Sequence, residues 1–178
     1  MQANFLSKSE YAEWQNAVVL LAGCALSDVS IIAKVGISTK FGKFRVDIQA
    51  NAGYSCFKEV RCVEDIVYIG YGKCVFVIHP SDGKVESYLL DGYFGHIYGA
   101  AEYEVTTQLF SVLVTSASEL GSFSLNGELR WRTNELGIDG VTVHSVTADV
   151  VTGSGEWEPP GGWIAFKLSA STGERMVT

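Results

Sequence analysis

Apolar residues occur along this chain in short runs rich in valine, isoleucine and aromatics, each closed by glycine or by a cluster of small polar residues. That pattern predicts strands and tight turns. The runs from Asp65 to Gly72 and from Cys74 to His79 are joined by a glycine-containing turn and read as a hairpin. Leu109–Thr115 and Gly121–Leu125 read as a second pair, and Val141–Val146, Asp149–Thr152 and Trp163–Leu168 as three further strands, with an insertion from Gly153 to Gly162. A helical period occurs near the N-terminus. Tyr11, Trp14, Val18 and Leu21 fall on one helical face behind Ser7 and Glu10, which have capping-box spacing, so residues 1–26 are expected to hold an amphipathic helix.

Turn glycines punctuate the chain at regular intervals. Phe41-Gly42-Lys43, Asp82-Gly83-Lys84, Asn126-Gly127-Glu128 and Thr172-Gly173-Glu174 place them 41, 44 and 46 residues apart. Gly83 and Gly127 each stand 18 residues after the start of an apolar run, at Asp65 and Leu109, so the spacing repeats where residue identity does not. A period near 45 residues is that of one β-propeller blade.

The stretches Val75–Lys84 and Ile164–Glu174 resemble the closing hairpins of blades in β-propeller proteins of the PQQ-like or WD type, and Gly95-His96 stands where a WD-type repeat often has its Gly-His pair. Trp131 is followed by Arg132, so the Trp-Asp dipeptide of the WD family proper is missing. The resemblance covers about residues 55–178. It implies a mainly β fold of antiparallel, propeller-like blades of about 41–46 residues, as a small or partial propeller, and a habit of binding without catalytic residues. A helix in 1–26 followed by a β-repeat region over 27–178 would make a single domain of 1–178.

Composition adds a core and a sign of charge. Apolar residues make up 47% of the chain and charged residues 19%, enough to fold, and the net charge of −7 argues against nucleic acid as a partner. The excess is one-sided. Residues 1–90 hold nine basic and nine acidic side chains, whereas residues 91–178 hold four basic and eleven acidic ones. Between Lys84 and Arg130 there is no Lys or Arg, while Glu86, Asp91, Glu102, Glu104, Glu119 and Glu128 occur there. Such a surface either keeps the protein soluble or attracts a basic partner.

Cys24, Cys56, Cys62 and Cys74 show neither metal-knuckle nor redox spacing. A chain this long and apolar needs no staples, so free thiols in a reducing cytoplasm are expected. Leu21-Ala22-Gly23-Cys24 resembles a bacterial lipobox. However, residues 1–16 carry Lys8 against Glu10 and Glu13 where a signal has a positive region, so a packed helix is expected there, with no lipid anchor and no membrane partner.

The most unusual stretch is Gly153–Trp163, which puts Trp157 between Glu156 and Glu158 and follows them with Pro159-Pro160 and flanking glycines. A stiff loop loses little entropy on binding, and Trp is enriched at interface hot spots. Trp157 fits equally an interface anchor or a plug of the core, and Trp163, which opens a strand, is expected to pack inward. In Asp91–Gly99, His96 with Asp91 could serve as a general base in a pocket with Tyr93 and Tyr98, but no nucleophile stands nearby and a packing histidine is the favoured reading. His79, His96 and His144 do not recur with carboxylates at ligand spacing, so no metal and no cofactor is expected. Arg130-Trp131-Arg132 is expected to alternate across an exposed strand.

These features together point to a non-enzymatic module that binds a basic protein through Trp157, Glu156, Glu158, Asp91, Glu102 and Glu104. One concrete form is an immunity or inhibitor protein. The alternatives are a small-ligand binder or enzyme using the pocket near His96, and a self-associating unit such as a homodimer.

Overall fold

The computed structural model describes residues 1–23, 30–50, 57–105 and 108–176. They form a mainly β structure of four small sheets with no closed barrel, divided into two compact units, Met1–Leu89 and Leu90–Thr178. That division falls where the charge changes: the first unit carries nine basic and nine acidic side chains, and the second the whole excess of −7.

In the first unit, β1 (Gln2–Phe5), β2 (Val18–Gly23), β3 (Ser30–Thr39) and β4 (Gly42–Ala50) form a sheet of order β1-β3-β4-β2. A second sheet is the meander β5 (Lys58–Val63), β6 (Ile66–Tyr71), β7 (Cys74–His79) and β8 (Lys84–Leu89). Val35, Ile37, Val46 and Ile48 of the first sheet share one core with Val67, Ile69, Phe76 and Ile78 of the second. The period of two along each strand sends these side chains to one face.

Of the N-terminal helix expected over 1–26, the described residues 1–23 form only a 3-10 turn. In its place stand β1, a 3-10 turn at Lys8–Trp14, and β2. The capping box was read correctly, since the Ser7 amide and hydroxyl donate to Glu10 Oε2 at 2.8 and 2.6 Å, but the turn it starts ends at Trp14. Beyond it, Val18-Val19-Leu20-Leu21 suits a strand better than a helix because β-branched side chains crowd a helical turn. The run pairs in parallel with β4, Val18 opposite Phe44 through Gly23 opposite Gln49. Val18 and Leu21 are left exposed, where the helical reading would have packed them.

Expectations about cysteine also change. Cys74 is disulfide-bonded, whereas Cys62 is a free, half-buried thiol whose ionisation burial makes harder. Cys24 and Cys56, and with Cys24 the lipobox-like end, lie outside the described residues. An ample core removes the need for a staple but does not forbid one.

At the β7–β8 hairpin, Glu86 lies 3.1 Å from both His79 Nε2 and Lys84 Nζ. Burial pushes its carboxyl up, but the hydrogen bonds from Lys84 and His79 and their charge outweigh this and hold it below its ordinary value of 4.5. A carboxyl whose folded value is depressed adds stability above the unfolded value, and that contribution is lost as pH falls through the folded value. Glu86→Gln should therefore lower the denaturant midpoint at pH 7, and parent and variant should converge in acid below 4.5; a gap that persists undiminished in acid would refute the pairing.

In the second unit, β9 (Phe94–Gly99), β10 (Val112–Ser116), β11 (Leu120–Phe123) and β12 (Leu129–Thr133) form a four-stranded meander. β13 (Val141–Thr147), β14 (Val150–Glu156) and β15 (Trp163–Ser169) form a three-stranded one, with a single bridge from Leu168 to Arg175 beyond it. Leu113, Leu120 and Trp131 pack with Val143, Val151, Phe166 and Leu168, and the Trp131 indole N–H donates to the Ala170 carbonyl at 2.9 Å. Arg130-Trp131-Arg132 alternates as expected, the indole buried and both guanidinium groups outward. Gly42, Gly83, Gly127 and Gly173 all have positive φ, which explains why the recurrent turns carry glycine.

Candidate functional site

Four chain segments meet at one end of the second unit. They are the approach to β9 around Asp91, the β10–β11 turn, the β12–β13 loop and the β14–β15 loop. Backbone hydrogen bonds lace them together: Ala117 N–H to Tyr93 O at 3.0 Å, Leu136 N–H to Ser118 O at 2.8 Å, Gly140 N–H to Ala117 O at 2.8 Å, and Ile138 N–H to Glu156 O at 2.8 Å. The Tyr93 hydroxyl donates to both the carbonyl and the carboxylate of Asp139. With their own polar groups satisfied, these loops can hold a fixed surface without regular secondary structure.

Asp91 is clamped through its backbone. Its N–H donates to Glu119 Oε1 at 3.1 Å, and its carbonyl accepts from Ser116 Oγ at 2.7 Å and Ser118 Oγ at 2.9 Å. Glu119 is itself 1% exposed and takes both its carboxylate oxygens to Arg132 Nη2, at 2.8 and 2.6 Å. The buried Glu119 carboxylate, held by Arg132 from the solvent side, thus sets the position of Asp91, whose side chain lies at the exposed rim.

A cleft of about 330 Å³ opens there, walled by Asp91, Ala117, Ser118, Glu135, Ile138 and Trp157, with Gly92 and Gly137 completing its lining. Trp157 is half-buried against it, and Ile138 is 55% exposed. The insertion closes on itself through Trp157 N–H to Gly162 O at 2.9 Å and Gly162 N–H to Glu158 O at 3.0 Å. Glu158 is exposed, while Glu156 turns back to accept the Gly161 N–H at 2.6 Å and so braces the loop.

Asp91, Trp157 and Glu158, as read from the sequence, therefore share one end of the unit. Glu102 and Glu104 do not. They follow β9 at its other end, about 20 Å away for a strand of six residues. Glu102 accepts the Gly99 N–H at 2.8 Å and so caps the short turn that starts there. The inward packing expected of Trp163 is also overturned: it is 45% exposed, and its ring lies 3.4 Å from where a methyl group on Gly140 would sit. It starts β15 next to the loop, where the outer face meets solvent, so strand membership did not imply burial.

His96 is exposed on β9, with its ring edge-on to Tyr98 at 4.5 Å. The Tyr98 hydroxyl accepts the Val143 N–H at 3.3 Å, which places this tyrosine in the packing between β9 and β13. Tyr93 makes the Asp139 contact at the cleft end, while His96 and Tyr98 pack together on β9. Among the described residues no group of three or more His, Cys, Asp or Glu could hold a metal ion, and no helix is long and apolar enough to cross a membrane.

Sequence reasoning missed Glu135, Ile138 and Ser118. They stand in loops of ordinary composition that give no local signal of a site. The β12–β13 loop packs closely on β14, where a side chain at Gly155 would overlap the Leu136 carbonyl oxygen. The chain matches no known family model, and no curated protein matches it.

Proposed function

We propose that this chain is a non-enzymatic protein-binding module that meets a basic protein at the cleft beside Trp157. One observation carries the reading: an indole and an exposed isoleucine stand in one cleft with the exposed acids Asp91 and Glu135. Asp139 and Glu158 add two more exposed carboxylates on the same loops. An aromatic anchor ringed by one sign of charge suits a partner surface that presents Lys or Arg around an apolar spot. An immunity or inhibitor protein is one concrete form of such a binder.

The four sheets are read as propeller-like blades. In support, two of them are four-stranded meanders, and Gly83, Gly127 and Gly173 each close the hairpin that follows the third strand of a sheet. The disulfide at Cys74 favours an oxidising compartment over the reducing cytoplasm that the expectation of free thiols implied.

Salt dependence tests the electrostatic half of the reading. Raising ionic strength from about 0.05 to about 0.5 M should slow association with the partner roughly tenfold or more, because exposed charges are screened beyond a few ångströms. Association rates read by surface plasmon resonance that do not change with salt would remove the acidic rim from the account.

A further inference from the structure

The β13–β15 sheet has two unlike faces. Val141, Val143, Val146, Val151, Phe166 and Leu168 lie on the face that joins the core. Residues directly opposite one another share a face, and neighbours along a strand alternate. The register therefore sets three rows on the other face: Glu156 with Trp163, Thr142 with Ser154 and Ala165, and Ser145 with Thr152 and Lys167. His144, at the irregularity between Val143 and Ser145, joins this outer face, since its Nε2 lies 3.1 Å from Ser154 Oγ. Trp163 is the only large apolar side chain in these rows.

The indole lies along the sheet. Gly140 accepts the Glu156 N–H at 2.9 Å and so extends the row of Glu156 and Trp163 to the start of β13. The tip of the Trp163 ring lies 3.4 Å from where a methyl group on Gly140 would sit. Because β13 and β15 flank β14 and stand about 9–10 Å apart, the ring must reach across β14 to come so near. Trp163 is nonetheless 45% exposed, so one side of the ring rests on the sheet and the other meets water.

Beside this platform stand paired hydroxyls. Ser145 Oγ and Thr152 Oγ1 are 2.7 Å apart, and Thr142 Oγ1 lies 3.3 Å from Ser154 Oγ. A hydroxyl has one donor and two lone pairs, so two that bond each other keep capacity for a further polar neighbour. Glu156 lies next to the indole, bound to the Gly161 N–H, and Lys167 stands about 13 Å from Trp163, four residues along β15. A carboxylate at one end and an ammonium at the other favour neither an anion nor a cation over the whole face, which leaves an uncharged polar ligand.

We propose that this outer face binds a β-linked glucan, one pyranose ring flat on the Trp163 indole and the sugar hydroxyls on Thr142, Ser154 and Thr152. A β-glucopyranose carries its hydroxyls around the ring edge and C–H groups on its two faces. One face thus suits an aromatic platform while the edge suits the hydroxyl rows. The length between Trp163 and Lys167 accommodates more than one ring, so an oligosaccharide binds better than its monomer. The proposal rests on this sheet face alone and does not depend on the reading of the Trp157 cleft.

The test is an NMR titration of the full chain with cellotetraose, glucose, glycerol and benzyl alcohol. Cellotetraose should saturably move the Trp163 indole N–H and the amide signals of Thr142, Thr152 and Ser154. Trp163→Ala should weaken it by about tenfold or more, the scale of one lost aromatic anchor, while Trp163→Phe should keep most of the affinity. Retention of the parent's other signals by both variants shows that each is folded. Absence of saturable shifts at millimolar cellotetraose, or unchanged affinity in Trp163→Ala, would overturn the site. Glycerol or benzyl alcohol binding as tightly would overturn the sugar assignment, and glucose binding as tightly would overturn the extended ligand.

Discussion

Replacing Glu119 by alanine should destabilise the second unit by about 1–3 kcal/mol, because it leaves the Asp91 N–H without its acceptor and removes the charge-assisted bonds to Arg132, whose guanidinium is partly open to solvent. The carboxylate is 1% exposed and is held by Arg132 at 2.8 and 2.6 Å and by the Asp91 N–H at 3.1 Å. For a unit of this size the melting temperature should fall by roughly 5–15 °C. Removing Asp65 from its exposed pair with Lys40, equally short at 2.7 Å, should cost under about 1 kcal/mol, because solvent screens it. Replacing both Glu119 and Arg132 by methionine should recover only part of the loss, since it leaves no unpaired charge but still deprives the Asp91 N–H of its acceptor. A Glu119→Ala variant that melts with the parent would show that the pair is dispensable and that Asp91 is positioned by other contacts.

Glu119 also shows the limit of reading charge from sequence. Counted with its neighbours it looked like one more surface acid, whereas its burial depends on Arg132, 13 residues away and on the next strand. The strands themselves were legible because a period of two and β-branched runs are local properties. So were the turns, since Gly42, Gly83, Gly127 and Gly173 sit where only a residue without Cβ is unstrained. The segment Val18–Gly23 was misread because its parallel partner, β4, lies outside any local window.

The candidate site was half legible. Trp157 and Asp91 were marked by residue type, but their shared cleft depends on loops joined only by tertiary hydrogen bonds. Glu102 and Glu104 stand at the other end of β9 from Asp91, and the signal for that was available, since a strand over 94–99 separates Asp91 from residues that follow Gly99. Trp163 was misjudged because a strand's outer face exposes large side chains as readily as its inner face hides them.

The second large effect expected is on recognition. Trp157 lines the cleft half-buried, so truncating it should cost the fold about 1 kcal/mol, while the partner should lose a central anchor. Hot-spot tryptophans carry 2 kcal/mol or more, which corresponds to roughly thirtyfold or greater loss of affinity. The deciding measurement is the affinity of Trp157→Ala, by calorimetry, for the basic protein retained by the immobilised parent chain. At least a thirtyfold rise in Kd, with a melting temperature within a few degrees of the parent, is the predicted result. An unchanged Kd in a folded Trp157→Ala variant would contradict it.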